Sequence, residues 1–240
     1  MKPETFPLGD TGIQLLFGNE ISEKINQEIR QFADSLRRYP INGIIEWVPA
    51  YTTLTIFYRP DIITYHEICK VLESKYMDLQ GGVAEPTSLI YEIPTLYGGE
   101  SGTDLDFVAN YNGITREEVI SVHTGQDYLI YMMGFMPGFP YLGGMSPKIA
   151  APRRDYPRAK ISAGSVGIAG EQTGIYPIET PGGWQIIGKT PVKLYDPNSK
   201  NPILLSSGHY LRFIPISKSE YDEIENEVNS GTFIVKARKK

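Results

Sequence analysis

From Tyr128 onward the chain breaks into short apolar runs separated by glycine and proline: YLIYMMGF, KISAGSVGIAG, GWQIIGK, VKLYDP, PILLSSG and YLRFIPI. Strands this short and this frequent, with turn residues between them, predict a closed or nearly closed β-barrel. Residues up to about 85 follow another grammar. IQLLFG (13–18) reads as a strand, Asn19 offers an N-cap, and Ile21, Ile25, Ile29, Phe32 and Leu36 recur at helical spacing. GIIEWVPAY and TLTIFY read as strands, and Thr64-x-x-Glu67 is a capping box ahead of Ile68, Val71 and Leu72. SLIYEIP (88–94) supplies one more strand, so that the order β-α-β-β-α-β suits a ferredoxin-like α/β sandwich. The change falls in DLQGGVAEPTS (78–88), read as a linker. The expected organisation is α+β, with an N-terminal α/β domain over 1–85 and a β-barrel domain over 86–240.

Bulk properties narrow the function classes. The chain has 240 residues, 41% hydrophobic and 21% charged, enough to bury a core. A formal net charge of −5 argues against a nucleic-acid binder, which needs a basic face. The one basic cluster, KARKK at 236–240, reads as a solvated tail, and TFIVKA before it as a last strand after a polar helix over 219–228. Cys69 is the sole cysteine, which excludes an intrachain disulfide and a multi-cysteine zinc site; no metal site is expected. MKPETFPLGD lacks an apolar run, and no stretch reaches the roughly 20 apolar residues of a membrane span, so a cytoplasmic protein is expected.

Two local patterns need weighing. TDLDFVANYNGITREEVISVHTG holds two short helices around Gly113, with Thr115-x-x-Glu118 as a capping box. A DNA-reading helix pair would look similar, but Glu117 and Glu118 beside a single Arg116 are wrong for a helix facing phosphates, so a structural pair is expected. Gly183-x-x-x-x-Gly188-Lys189-Thr190 matches the phosphate-loop pattern. A true phosphate loop lies between a strand and a helix, whose N-terminus adds its dipole. Here WQII is strand language and no helical pattern follows Pro191, so a nucleotide site is not expected.

LYGGESGTDLDFVA (96–109), GFMPGFPYLGG (134–144), APRRDYPRAKISAGSVGIAG (151–170) and QTGIYPIETPGGWQIIGKT (172–190) together resemble the family of the 5-oxoprolinase B subunit, also called the allophanate hydrolase subunit 1 or KipI-type family. The resemblance covers nearly the whole chain. It implies an N-terminal α/β domain followed by a cyclophilin-like β-barrel, and it explains the phosphate-loop look as a by-product of a PGGWxxIGxT segment. GHY at 208–210 departs from the family's Gly-Asp.

The resemblance also implies a pocket built from His123, Arg153, Arg158, Gln172, Thr173, Tyr176 and Lys189, with no catalytic residue assignable. Each has a structural alternative. His123 ends a helix, where a protonated imidazole would complement the dipole. Arg153 and Arg158 suit a carboxylate-bearing ligand, or a surface pair with Asp155. Gln172 and Thr173 could hydrogen-bond an amide, Tyr176 could line a barrel mouth, and Lys189 could meet an anion. Phe135, Met136, Phe139 and Tyr141 read as a partner surface or a core lid.

Three functions follow. The first is a subunit of an ATP-dependent 5-oxoprolinase acting with subunits A and C, ATP being used by the complex and not assigned to this chain. The second is a KipI-type inhibitor of a sensor histidine kinase. The third is a prolyl isomerase, an analogy of fold alone.

Overall fold

In Ile13 and Leu15, and again in Leu54, Ile56 and Tyr58, every second residue is apolar and buried, and this period of two decides which face of the first sheet meets its helices. The structure, a computed structural model, describes residues 2–79 and 88–240 and divides after Thr87 into two compact units. The first unit runs β1 (Glu4–Leu8), β2 (Gly12–Leu16), α1 (Glu23–Arg38), β3 (Ile44–Pro49), β4 (Thr53–Tyr58) and α2 (Tyr65–Leu79). Its strands lie in the order β1-β2-β4-β3, antiparallel throughout. The strand residues above pack with Ile29, Phe32 and Leu36 of α1 and Ile68, Leu72 and Tyr76 of α2 as one core.

Three expectations for this unit change. The α1 cap is Ser22, whose hydroxyl accepts the Ile25 N–H at 3.3 Å, and not Asn19; Ile21 then lies outside the helix and is 59% exposed. The strand missing from the sequence reading is β1, exposed along its length and carrying Pro7, which an edge strand tolerates. The SLIYEIP strand does not complete this sheet: it belongs to the second unit. The predicted capping box of α2 is present, with the Thr64 N–H donating to Glu67 Oε2 at 2.9 Å. The predicted linker falls mainly on residues 80–87, outside the described residues.

The second unit contains β5 (Leu89–Tyr97), α3 (Leu105–Asn112), α4 (Arg116–Thr124), β6 (Tyr128–Met133), β7 (Pro140–Gly143), β8 (Arg158–Ile161), β9 (Ser165–Ala169), β10 (Gln172–Ile175), β11 (Thr180–Gly182), β12 (Gln185–Lys189), β13 (Tyr210–Pro215), α5 (Lys218–Ser230) and β14 (Ala237–Lys239). Seven strands follow the path β10-β9-β12-β5-β13-β6-β7. Its end strands β10 and β7 approach each other without forming a ladder, so the sheet is barrel-like and nearly closed. β5 and β13 are parallel; the other pairs on the path are antiparallel. β8 and β11 form a separate ribbon. The overall class is α+β.

The core joins Ile93, Tyr128, Ile130, Val166, Ile168, Ile187, Leu211 and Phe213 to Leu105, Val108 and Val119 from α3 and α4. The capping box of α4 forms as expected, and Gly113 ends α3 in the left-handed conformation that a Cβ disfavours. The basic C-terminus is not a free tail. β14 pairs with β5, Arg238 stands 3.7 Å from both Glu92 and Asp127, and the Lys240 ammonium lies 3.6 Å from the centre of the Tyr210 ring. The polar helix is α5; the last strand begins at Ala237, later than TFIVKA suggested.

Candidate active site

A cavity of about 370 Å³ opens where β7 and β10 fail to pair. Four stretches line it: Phe135, Phe139 and Tyr141 from the β6–β7 turn and β7; Gln172 and Tyr176 from β10 and its end; Arg153 and Pro157 from the loop before β8; and Pro181, Gly182, Gly183 and Trp184 from β11 and the turn into β12. Arg153, Gln172 and Tyr176, predicted as pocket residues, therefore share one hollow with Phe135, Phe139 and Tyr141, predicted as partner surface. Phe139 is its hub, 3% exposed, with Phe135, Tyr141, Tyr176 and Trp184 arranged edge-on around it at centroid distances of 5.2 to 6.1 Å. Rings presenting edges and faces in turn are the arrangement their quadrupoles favour. Phe139 is thus a core residue, while Phe135 is 73% exposed and held at a φ of 61°, unusual for a residue with a Cβ. Met136 forms part of the turn and does not line the cavity.

Glycine makes room for this box. A Cβ on Gly182 would lie 2.6 Å from the Tyr176 hydroxyl, and one on Gly174 would lie 3.1 Å from the Trp184 ring. Burial raises the Tyr176 pKa, while a hydrogen bond with the Trp184 backbone and the charges of Arg153 and Arg158 oppose the rise. Arg153 is exposed at the rim and makes no salt bridge to a carboxylate among the described residues.

The structure removes four predicted residues from the cavity. His123 is fully buried, and burial pushes its pKa down to about 3, so it is neutral and does not act as a charged cap on α4. Its ring nitrogens stand 2.7 Å from the Tyr97 hydroxyl (Nδ1) and 2.8 Å from the Thr173 hydroxyl (Nε2). The Thr173 hydroxyl also donates to the Gly167 carbonyl at 3.1 Å. One proton arrangement satisfies all three contacts: Tyr97 donates to Nδ1, Nε2–H donates to Thr173, and Thr173 donates to Gly167. Thr173 is therefore a buried partner of His123. Lys189 closes β12 between Leu96 and Ser165 and does not line the cavity, and the chain after it stays irregular up to β13, without the helix a phosphate loop requires.

Arg158 is the fourth, and its partner is Asp104 instead of Asp155. The Arg158 guanidinium donates to Asp104 Oδ1 at 2.7 Å, and Arg154 reaches the same oxygen at 3.2 Å. Asp104 Oδ2 accepts the Ile186 N–H at 2.6 Å. Asp104 and Trp184 lie inside the longer motifs without standing out as site residues there. The available signal was an aspartate at the N-cap of α3, just after a glycine-rich turn, and a tryptophan set behind two glycines. Among the described residues no group of three or more His, Cys, Asp or Glu could hold a metal ion. A larger hollow of about 620 Å³, between the 192–204 loop and the C-terminal segment, holds none of the residues singled out from sequence.

The family described as carboxyltransferase domain, subdomain C and D, matches residues 3–205. The B subunit of 5-oxoprolinase from Bacillus subtilis is 46% identical over 231 residues, which cover 92% of this chain and 96% of that one. The corresponding 5-oxoprolinase protein of Escherichia coli O157:H7 is 37% identical, over 87% of this chain and 94% of that one. Among solved structures, TTHA0988 superposes with a TM-score of 0.74 at 36% identity, over 86% of this chain but 40% of that longer one. This chain belongs to the family of the 5-oxoprolinase B subunit, within the carboxyltransferase-domain family of subdomains C and D.

Proposed function

We propose that this chain acts as the B subunit of a cytoplasmic, ATP-dependent 5-oxoprolinase that hydrolyses 5-oxoproline to glutamate together with subunits A and C. The observation that carries the reading is the 46% identity to a protein of that name along almost the full length of both chains. In fold terms the reading takes the second unit as a cyclophilin-like barrel, supported by its nearly closed sheet. It takes the first as a ferredoxin-like sandwich in which β1 occupies the edge beside β2, supported by the strand order β1-β2-β4-β3.

Hydrolysis of a stable lactam is uphill enough to need ATP, and phosphorylating the lactam oxygen makes the ring carbon electrophilic to water. Water adds to that carbon, the ring C–N bond breaks to free the amine and leave a γ-glutamyl phosphate, and a second water releases phosphate and glutamate. This chain's share is binding. The aromatic box offers flat apolar walls of a size suited to a small ring. Arg153 at its rim takes the ligand carboxylate through paired N–H donors, and Gln172 faces the amide. The exposed Phe135 side of the cavity is where a partner subunit would complete the site, since no acid–base pair is assignable within it.

The test is ATP-dependent glutamate release from 5-oxoproline by subunits A and C with this chain, against a control lacking only this chain. The expected result is loss of activity in the control. Arg153→Ala in the full complex is expected to raise KM by at least about tenfold, the scale of one charge-assisted hydrogen bond. Glutamate release that proceeds equally without this chain would replace the subunit reading with that of a kinase-binding protein.

A further inference from the structure

The clamp around Asp104 lies outside the cavity, yet its bonds converge on two of the stretches that line it. Asp104 is 5% exposed and both carboxylate oxygens are engaged, Oδ1 by Arg154 and Arg158 and Oδ2 by the Ile186 N–H. From Arg158 the second guanidinium nitrogen reaches the Trp184 carbonyl at 3.4 Å. The Arg154 N–H donates to the Gly183 carbonyl at 2.8 Å, and Arg158 itself pairs with Gly182 across the β8–β11 ribbon. The loop carrying Arg153 and Pro157 and the turn carrying Trp184 are therefore stitched to each other, and Asp104 ties both to the barrel wall.

The segment leading to Asp104 is built for that grip. The Asp104 N–H donates to the Ile186 carbonyl at 2.8 Å and the Gly98 N–H to the Ile187 carbonyl at 3.1 Å. A Cβ on Gly102 would stand 2.0 Å from the Ile187 oxygen, so only glycine lets the turn press this closely on β12. β12 carries a register shift between Ile186 and Gly188, at the point where the turn grips it.

We propose that Asp104 is a positioning residue for the aromatic cavity: its carboxylate, acting through Arg158 and the Ile186 backbone, fixes the Trp184 wall against Tyr176 and Phe139 and so sets how tightly the cavity holds a flat ring. The consequence for substrate rests on the reading of this cavity as the 5-oxoproline site. Asp104 touches no ligand in this scheme. A charged clamp is suited to the task because both guanidinium groups converge on one carboxylate oxygen while the other oxygen holds the Ile186 N–H, and charge-assisted hydrogen bonds are directional where apolar packing is not.

Trp47 lies in the other unit, so Trp47→Phe leaves Trp184 as the sole tryptophan reporter. In that background Asp104→Asn and Arg158→Lys are each compared with the parent by acrylamide quenching of Trp184 and by KM and kcat in the assembled oxoprolinase. Arg158→Lys keeps Asp104 paired with Arg154 and Ile186, and so reads the bridge to Trp184 even if Asp104→Asn folds poorly. The expected result is stronger quenching in both, with KM for 5-oxoproline raised about tenfold and kcat within about twofold, the pattern of lost binding that ground and transition states share. The double variant is expected to add little beyond the larger single effect, because both changes break one bridge. Unchanged quenching in both variants overturns the proposal. Stronger quenching with KM unmoved, in these variants and in Arg153→Ala alike, supports the clamp and overturns the cavity as the 5-oxoproline site.

Discussion

Two buried polar nodes stand in the second unit, and they solve the same problem by opposite means. The His123 node is neutral: a tyrosine, an imidazole and a threonine pass hydrogen bonds in one direction to a backbone carbonyl. The Asp104 node is charged, one carboxylate between two arginines that keep 39% and 26% of their side chains exposed. In the neutral node His123 and Thr173 are fully buried, where an ion would lose its hydration without return, while Tyr97 is half-buried. The charged node sits at the barrel's rim, where the arginines retain water on one side and can shape a cavity on the other. Depth, more than residue type, assigned one to the core and the other to the site.

Removing each node in turn puts this contrast at risk, with unfolding of the second unit followed through Trp184 in the Trp47→Phe background. Asp104→Ala strips the partner from two arginines and from the Ile186 N–H. The expected loss is about 3 kcal/mol in urea unfolding, at the lower end for a broken buried pair because both arginines still reach solvent. A loss below about 1 kcal/mol would place this node with ordinary surface ion pairs.

His123→Phe keeps the ring's volume against Phe213, 4.3 Å away, but leaves the Tyr97 hydroxyl without its acceptor, at a cost of about 2 kcal/mol. Its pH dependence separates the two nodes further. The folded-state pKa of about 3 lies below the ordinary value of 6.5, so between these limits the unfolded chain binds a proton that the native one does not. The stabilisation is complete above pH 6.5 and is lost as pH falls toward 3, with a slope of up to about 1.4 kcal/mol per pH unit. The phenylalanine variant is expected to lose that component of the slope. Equal slopes in variant and parent would mean that the imidazole is already protonated in the folded state.

Arg153→Ala gives the smallest expected change in stability, within about 0.5 kcal/mol, because the side chain is exposed and makes no salt bridge among the described residues. Its effect belongs to ligand affinity alone. A large drop in stability would show that Arg153 is a third arm of the clamp.

The recurrence of short runs between glycines and prolines was enough to read a barrel-like second half, because strand length and turn chemistry are local properties. The α4 and α2 capping boxes, and the apolar faces of α1, were legible for the same reason. The partner of each strand was not. β5 reads like a final strand of the first sheet, but its apolar residues 90 and 93 found a better home beside β13. Nothing within the nine residues of β5 carries that choice. β1, exposed along its length and interrupted by Pro7, carries no buried apolar alternation and becomes a strand only because β2 offers it an edge.

The site divides along the same line. The order of residues set which chemistries were available: paired arginines between prolines, a glutamine in a glycine-rich turn, and aromatics set among glycines. Folding settled which of them meet. It sent His123 and Thr173 inward, where burial holds the imidazole neutral, and turned Arg158 toward an aspartate 54 positions away. It then gathered Arg153, Gln172, Tyr176 and Trp184 around one hollow. Hydrogen-bonding and aromatic chemistry are written in each side chain, but burial and proximity are properties of the folded chain, and those two decide whether a polar residue supports the barrel or faces a ligand.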